Sequence, residues 1–252
     1  MALGPGDYAL LAAAGLAAGG VNAVAGGGSL ISFPALVAVG LPTLNANVTN
    51  QVAVLPGYVG GSLAYREELR GQRRRAVVLG VTSATGALVG AILLVVSSKR
   101  LFAVLAPILV LVAVGLLAAQ PRLAELATPR GPHEPHPRGL HVANFLASVY
   151  GGYFGAGLGI MLLAVLAVAL EDTLQRLNAL KGLLSLIVGA VAAAYFALFG
   201  PVLWEAAAVM AVASFVGGQV GVRFARRISD RALRLGIVVF GVAVAAWLFA
   251  RL

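Results

Sequence analysis

Gly155-Ala156-Gly157-Leu158-Gly159 is a glycine-rich stretch between two apolar runs, 140–156 and 158–170. A similar stretch, Gly26-Gly27-Gly28-Ser29, leads into the apolar run 29–40. The runs that follow the glycines hold only 13 and 12 residues. At about 1.5 Å per residue, helices of this length are too short to cross a hydrocarbon core of roughly 30 Å. Short, glycine-interrupted apolar segments in corresponding places predict broken helices in a protein built from two repeats.

The composition of the whole chain is that of a membrane protein. Of its 252 residues, 60% are hydrophobic and 11% are charged, whereas a soluble domain carries about a quarter charged residues. The mean hydropathy is +0.96. At about 20 residues per span, the chain can cross a bilayer about eight times. We therefore expect an all-α polytopic membrane protein with the lipid bilayer as its surroundings.

The charge and the cysteine count exclude several other classes. The net charge is +9, but the cations cluster between apolar runs, as they do in the cytoplasmic loops of membrane proteins. No nucleic-acid partner is therefore expected. The chain has no cysteine, which excludes disulfides, a thiolate nucleophile and cysteine metal sites.

The apolar runs divide the chain into two halves that resemble each other. A shift of 131 residues places Gly28 on Gly159 and Asn47 on Asn178 without a gap. We interpret this pairing as an old duplication; chance matching among many glycines and alanines is the alternative. The predicted organisation is a first repeat over 1–119 (hairpin 8–40, spans 48–64, 76–96 and 101–118), a cytoplasmic linker over 120–139, and a second repeat over 140–252 (hairpin 140–170, spans 177–199, 202–222 and 233–250).

Arginine-rich segments predict how the two repeats are oriented. They lie at 66–75, in the linker 120–139 and at 223–234, and the positive-inside rule places all three in the cytoplasm. This placement requires 140–170 to enter and leave by one face, as a hairpin. Each repeat then makes an odd number of net crossings, so the repeats are inverted and both termini lie outside. The sequence leaves open whether the hairpins cross the membrane fully. Inverted repeats with paired hairpins are typical of transporters.

The glycine-rich bends are candidate binding sites for an anion. A helix that restarts at a bend presents free N–H groups and the positive end of its dipole. Close helix packing by small residues is the alternative reading. Asn22 and Tyr153 occupy the same repeat position just before the bends, where they are candidates to line a cavity. The candidate residues at the bends themselves are Gly26, Gly27, Gly28, Ser29, Gly155, Gly157 and Gly159.

Polar side chains open the third apolar run and its partner in the second half. Asn47, Asn50 and Gln51 are spaced i, i+3 and i+4, so they share one helix face together with the neighbouring Thr49. Amides at the start of a span need a cap, water or a ligand. An ordinary N-cap is the alternative, although one residue would suffice for it.

Lys181 is the one charged residue that lies well inside a predicted span. At the repeat shift it falls on Asn50, and it shares a helix face with Asn178. An intramembrane lysine is a functional candidate, with snorkelling to the cytoplasmic face as the alternative. Since no carboxylate lies inside a span, the sequence predicts that a small anionic substrate supplies the negative charge.

Enzymatic chemistry is not expected from these residues. No Ser/His pair, paired carboxylates or metal-ligand set is placed for catalysis, and neither a metal nor another cofactor is expected. His133 and His136 resemble a metal-binding cluster, but they lie in a proline-rich loop that is typical of solvent-exposed chain.

At these motifs the sequence resembles the TauE/SafE-type sulfite exporter family, also called the 4-toluene sulfonate uptake permease family, over essentially the whole chain. Gln51 stands where some members of that family have lysine, which makes this half less cationic. The stretches that carry the resemblance are Val21-Asn22-Ala23-Val24-Ala25-Gly26-Gly27-Gly28-Ser29-Leu30, Ala46-Asn47-Val48-Thr49-Asn50-Gln51, Tyr150-Gly151-Gly152-Tyr153-Phe154-Gly155-Ala156-Gly157-Leu158-Gly159 and Arg176-Leu177-Asn178-Ala179-Leu180-Lys181.

The resemblance implies a multi-pass carrier in the plasma membrane of a prokaryote. Its substrate would be a small sulfur-containing anion such as sulfite, a sulfonate or thiosulfate, moved by alternating access. An anion channel, or a carrier of a different organic anion, is the alternative function. The sequence does not determine the direction of transport, the coupling ion or the oligomeric state; a homo-oligomer is compatible with it.

Overall fold

The computed structural model describes residues 3–24, 26–125, 137–225 and 230–251. Most of the predicted linker, with His133 and His136, lies outside the described residues. The described part of the chain forms ten α-helices and no strand. The helices are α1 (Pro5–Val24), α2 (Ser29–Ala38), α3 (Thr43–Ala64), α4 (Arg73–Val96), α5 (Lys99–Glu125), α6 (Pro137–Tyr153), α7 (Leu158–Ala169), α8 (Leu174–Phe199), α9 (Trp204–Ala225) and α10 (Asp230–Phe249).

The lengths of the helices follow the apolar runs of the sequence. Among the described residues, three helices are long and apolar enough to cross a bilayer, namely Arg73–Val96, Lys99–Arg122 and Leu174–Phe199. Ser29–Ala38 and Leu158–Ala169 are apolar but shorter. The two helices that follow the glycine stretches are therefore as short as the sequence predicted.

The chain breaks at both glycine stretches. Gly26 has a φ of +80° and Gly155 a φ of +81°, a backbone conformation that only glycine adopts at little cost. Each break lies between two helices that pack on each other, α1 on α2 and α6 on α7. The aromatic rings of Phe33 and Phe154 join the two breaks, with their centroids 5.5 Å apart.

Four helix pairs form the frame around these breaks. α1 packs along α9 and α6 along α4, while α3 and α8 lie between them and contact each other. α5 packs on α10. Small residues allow the close approaches: a Cβ atom on Gly86 would lie 2.6 Å from the carbonyl oxygen of Phe145. Gly86 thus serves helix packing, as membrane helices commonly use small residues.

Many apolar side chains are exposed on the outside of the molecule, while several polar ones are buried in its interior. Val96, Leu198 and Val212 are 70%, 76% and 70% exposed, whereas Asn47 and Asn50 are completely buried. Exposed apolar area on this scale is costly in water and favourable against lipid tails. The distribution is consistent with a membrane protein whose polar chemistry lies in its interior.

Candidate functional site

The two glycine breaks touch each other in the interior. A Cβ atom placed on Gly26 would lie 3.3 Å from the Cα of Gly159. Lys181 of α8 also lies at this contact, because its Cδ is 3.8 Å from the place where a Cβ atom on Gly159 would be. Both breaks and the predicted intramembrane lysine therefore meet in one place.

A cavity of about 30 Å³ lies at this meeting point; we call it the Lys181 cavity. Since about 10–15 Å³ holds one water molecule, it has room for a few water-sized groups. Its lining comes from both breaks and from α3 and α8. The lining residues are Asn22, Gly26, Gly57, Tyr58, Ser62, Tyr65, Gly159, Asn178, Lys181, Gly182 and Ser185.

Asn22 offers a free hydrogen-bond donor to this cavity. Its Oδ1 accepts a hydrogen bond of 2.7 Å from the backbone N–H of Gly28, which fixes the orientation of the amide. The Nδ2 group, on the other side of the amide, is buried and has no hydrogen-bond partner among the described residues. A buried donor without a partner costs about 1–3 kcal/mol, and a ligand that accepts its hydrogen bond would remove this cost.

Two hydroxyl groups and an ammonium group complete the polar lining. The Oγ atoms of Ser62 and Ser185 are buried and lack hydrogen-bond partners within the described part of the chain. No carboxylate in the described part of the chain lies within salt-bridge distance of Lys181. The cavity thus presents one cation and several unused polar groups, an arrangement suited to an anion that accepts hydrogen bonds.

A second, smaller cavity of about 10 Å³ lies next to the first. Three of the sequence-predicted residues, Ser29, Gln51 and Gly155, are in its lining. Tyr58 belongs to the lining of both cavities. The remaining lining residues are Val54, Gly151, Leu158, Val188 and Gly189.

The amides of α3 bind backbone groups of the neighbouring elements. Asn47 Nδ2 donates to the carbonyl of Tyr153 at 2.8 Å, and Gln51 Nε2 donates to the carbonyl of Gly152 at 3.1 Å. These carbonyls end α6 and have no partner inside that helix. Two residues of the predicted polar face of α3 therefore cap α6, and Gln51 also lines the smaller cavity.

The other predicted residues also lie outside the Lys181 cavity. Thr49 accepts a hydrogen bond of 3.0 Å from the N–H of Leu203, and Asn50 Oδ1 accepts one from the hydroxyl of Ser32. The Tyr153 hydroxyl lies 3.3 Å from the Ser97 Oγ.

The remaining three glycines pack against other helices. A Cβ on Gly27 or Gly157 would face α5, at Leu117 and Ala113 respectively. A Cβ on Gly28 would overlap the Ala18 carbonyl of α1. Gly27, Gly28 and Gly157 therefore shape the breaks, and they are absent from the lining of both cavities.

The tyrosines and serines of the Lys181 cavity were not among the residues predicted from the sequence. Tyr58, Ser62 and Tyr65 are spaced i, i+4 and i+7 on α3, and Ser185 follows Lys181 by one turn. This helical spacing could have identified them once Lys181 was taken as the centre of the site. No group of three or more His, Asp or Glu in the described segments could hold a metal ion.

A helical protein with exposed apolar side chains and a small interior cavity that is lined by a lysine fits the class of membrane transporters. The model of the family described as sulfite exporter TauE/SafE matches residues 11–248. The chain belongs to this family, which confirms the resemblance carried by its glycine and asparagine motifs.

Curated bacterial proteins match over nearly their whole length. A protein named probable membrane transporter protein ORF9 from Sinorhizobium sp. is 26% identical, covering 96% of this chain and 92% of its own. A probable membrane transporter protein of Haemophilus influenzae is 27% identical over 98% and 96%, and YfcA of Escherichia coli, also named a probable membrane transporter protein, is 26% identical over 91% and 84%. No solved structure matches the chain.

Proposed function

We propose that this transporter carries a small sulfur-containing anion of the sulfite, sulfonate or thiosulfate class across the plasma membrane of a prokaryote by alternating access. The observation that carries the proposal is the Lys181 ammonium, which has no carboxylate partner in the described residues and lines a cavity with the unpaired polar groups of Asn22, Ser62 and Ser185. The family name supports the choice of sulfur chemistry.

The charge balance of the cavity favours an anion over a cation. Its lining contains a lysine and no acidic side chain, so a cation would be repelled by Lys181 without a carboxylate to offset the repulsion. An oxyanion has several oxygens, each able to accept a hydrogen bond from an ammonium, amide or hydroxyl group. Lys181, Asn22 and Asn178 are the residues that we assign to its binding.

The packing of the helices supports two structurally equivalent repeats. Exchanging α1 with α6, α3 with α8 and α4 with α9 converts the α1–α9 contact into the α6–α4 contact, and α3–α9 into α8–α4. The same exchange converts the α3–α8 contact into itself. A pseudo-twofold axis between α3 and α8 accounts for this pattern, and alternating access in such proteins moves one group of helices against another.

The small size of the two cavities favours a carrier over a channel. The Lys181 cavity and the smaller cavity are separate spaces of about 30 and about 10 Å³. A channel needs a continuous polar path wide enough for its ion. A site with room for only a few water-sized groups suits a protein that encloses its substrate.

Uptake by purified protein in liposomes tests the proposal. Labelled sulfite is offered, with unlabelled sulfite, thiosulfate, taurine, sulfate and an organic carboxylate as competitors. We expect saturable uptake that sulfur anions inhibit and the carboxylate does not. Competition by the carboxylate alone would point to a carrier of a different organic anion, and non-saturable flux would point to a channel.

Substitution of Lys181 tests the site itself. Lys181→Ala removes the cation from the cavity, and we expect uptake to fall by more than tenfold. Lys99→Ala is the matched control, since Lys99 is the only other lysine of the chain and is exposed at the start of α5. Uptake that survives Lys181→Ala unchanged would refute the assignment of this residue.

A further inference from the structure

Tyr58 separates two spaces that are stacked along the same pair of helices. The Lys181 cavity is lined by α3 from Gly57 to Ser62 and by α8 from Asn178 to Ser185. The smaller cavity is lined by residues that lie further along these helices, towards the start of α3 and the end of α8. At about 1.5 Å per residue, the two spaces follow one another along the helix axes.

The ring of Tyr58 crosses the interface between α3 and α8. A Cβ atom on Gly189 of α8 would lie 3.4 Å from the Cδ2 of Tyr58, so the ring lies against the bare backbone of α8 at this glycine. The ring is therefore the wall between the two spaces. Tyr58 lines both of them.

The two spaces lie between the arginine segment 66–75 and the contact of α3 with the end of α6. The Lys181 cavity extends to Tyr65, which ends α3 beside the arginine segment 66–75. Beyond the smaller cavity, hydrogen bonds from Gln51 and Asn47 hold α3 against the end of α6. The order along the interface is the arginine segment, the Lys181 cavity, Tyr58, the smaller cavity and this hydrogen-bonded contact.

We propose that Tyr58 is the internal barrier of the transport path, and that the smaller cavity, which has room for about one water-sized group, marks the continuation of the path beyond the ring. The smaller cavity offers polar groups from Ser29 and Gln51 and the break at Gly155. This inference rests on the proposed function, because the solute that passes Tyr58 is the anion held at Lys181.

Cysteine labelling tests the barrier, because the chain contains no cysteine of its own. Ser185→Cys reports on the Lys181 cavity and Val188→Cys on the smaller one. The probe is the anionic thiol reagent sulfonatoethyl methanethiosulfonate, added to the membrane face that carries the 66–75 segment. We expect Ser185→Cys to react and Val188→Cys to remain protected.

Removing the ring is expected to open the second space to the reagent. Tyr58→Ala in the Val188→Cys background should raise the labelling rate by more than tenfold, whereas Tyr58→Phe, which keeps the ring, should leave it protected. Tyr65→Ala is the matched control, because Tyr65 lines only the Lys181 cavity. If the alanine variant does not fold, Tyr58→Leu provides the same comparison with a smaller loss of apolar volume.

The barrier is overturned if Val188→Cys reacts equally fast with Tyr58 present, or if it stays protected after the ring is removed from a folded protein. Absence of Ser185→Cys labelling would overturn it as well, since the first space would then be closed to that face. Sulfur-anion uptake is a separate readout. If the labelling is as expected but sulfur anions are not taken up, the barrier is retained and the proposed substrate is rejected. If sulfur anions are taken up but the labelling differs from that expected, the substrate is retained and the barrier is rejected.

Discussion

At Gly28, lack of space excludes a side chain, although the backbone conformation would allow one. Its backbone is ordinary right-handed helix, with φ of −59° and ψ of −31°. A Cβ atom there would overlap the Ala18 carbonyl of α1 and lie 2.8 Å from the Cγ of Asn22. The N–H of the same glycine orients the Asn22 amide. Gly28 thus has two roles: it allows α1 and α2 to pack closely at the first break, and its N–H orients the Asn22 amide, whose donor group faces the Lys181 cavity.

We predict that Gly28→Ala lowers both stability and uptake. Forcing a methyl group into a packed contact costs about 1–3 kcal/mol, and moving α1 away from α2 would release the Asn22 amide. Gly27→Ala is the control, because the nearest atoms to a Cβ there are side-chain carbons of Leu117 and Leu30 at 3.8 Å. Thermal unfolding in detergent and liposome uptake measure the two effects. Equal behaviour of the two variants would contradict the prediction.

At the level of elements, the last carbonyl groups of α6 receive their hydrogen bonds from side chains of α3. Asn47 satisfies the carbonyl of Tyr153 and Gln51 that of Gly152, so the amides of one helix complete the backbone of another. The sequence predicted a polar face on α3 for ligand binding. It could not distinguish a ligand from a carbonyl of a distant helix, because an amide binds both through the same groups.

Asn47→Ala is predicted to destabilise the protein by about 1–3 kcal/mol, since it leaves the buried Tyr153 carbonyl without its partner. Asn45→Ala is the matched control: it lies half a turn away on α3, and its side-chain oxygen has no hydrogen-bond partner. Chemical unfolding followed by circular dichroism compares them. A loss of stability in Asn45→Ala as large as that in Asn47→Ala would contradict the capping role.

The carboxylate of Asp172, in the connection between α7 and α8, forms ion pairs with both α4 and α8. Asp172 pairs with Arg75 of α4 at 2.7 Å and with Arg176 of α8 at 2.8 Å. Burial raises the pKa of Asp172, but hydrogen bonds from the Thr173 N–H, Arg176 and Arg75 outweigh this and leave the pKa below its ordinary value. The charged form of Asp172 therefore stabilises the folded state.

The pH dependence of stability follows from the sign of this shift. A carboxyl group with a lowered folded-state pKa adds stability above the unfolded pKa of about 3.9, and this is lost as the pH falls through the folded value. We predict that Asp172→Asn lowers the unfolding temperature at pH 7 and that this effect is smaller at pH 3. Glu67→Gln is the control, since its pair with Arg70 is exposed and such pairs contribute little. An equal effect of Asp172→Asn at both pH values would contradict the prediction.

On the scale of the whole molecule, the helix positions could be read from the sequence, whereas their partners could not. Hydropathy locates a helix because bilayer thickness sets its length, and glycine clusters mark the breaks at Gly26 and Gly155. Pairing of α1 with α9 and of α4 with α6 depends on small residues that fit many neighbours equally well. Lys181 could be predicted because a charged residue inside a span is unusual. Ser62 and Tyr58 could not, because the sequence does not show which helix faces Lys181.

The orientation of the whole molecule gives the last prediction. If the repeats are inverted, the arginine segments 66–75 and 223–234 lie on one membrane face, because the three crossings of each half alternate and each hairpin returns to its own side. The connections α4–α5 and α8–α9 then lie on the opposite face. In the natural cysteine-free chain, single cysteines at exposed positions can be labelled from each side with a membrane-impermeant reagent. We expect Glu67→Cys and Arg231→Cys to react from one face and Ser98→Cys and Pro201→Cys from the other. Labelling of Glu67→Cys and Arg231→Cys from opposite faces would mean that one glycine break lies within a straight crossing, and the inverted architecture would then be wrong.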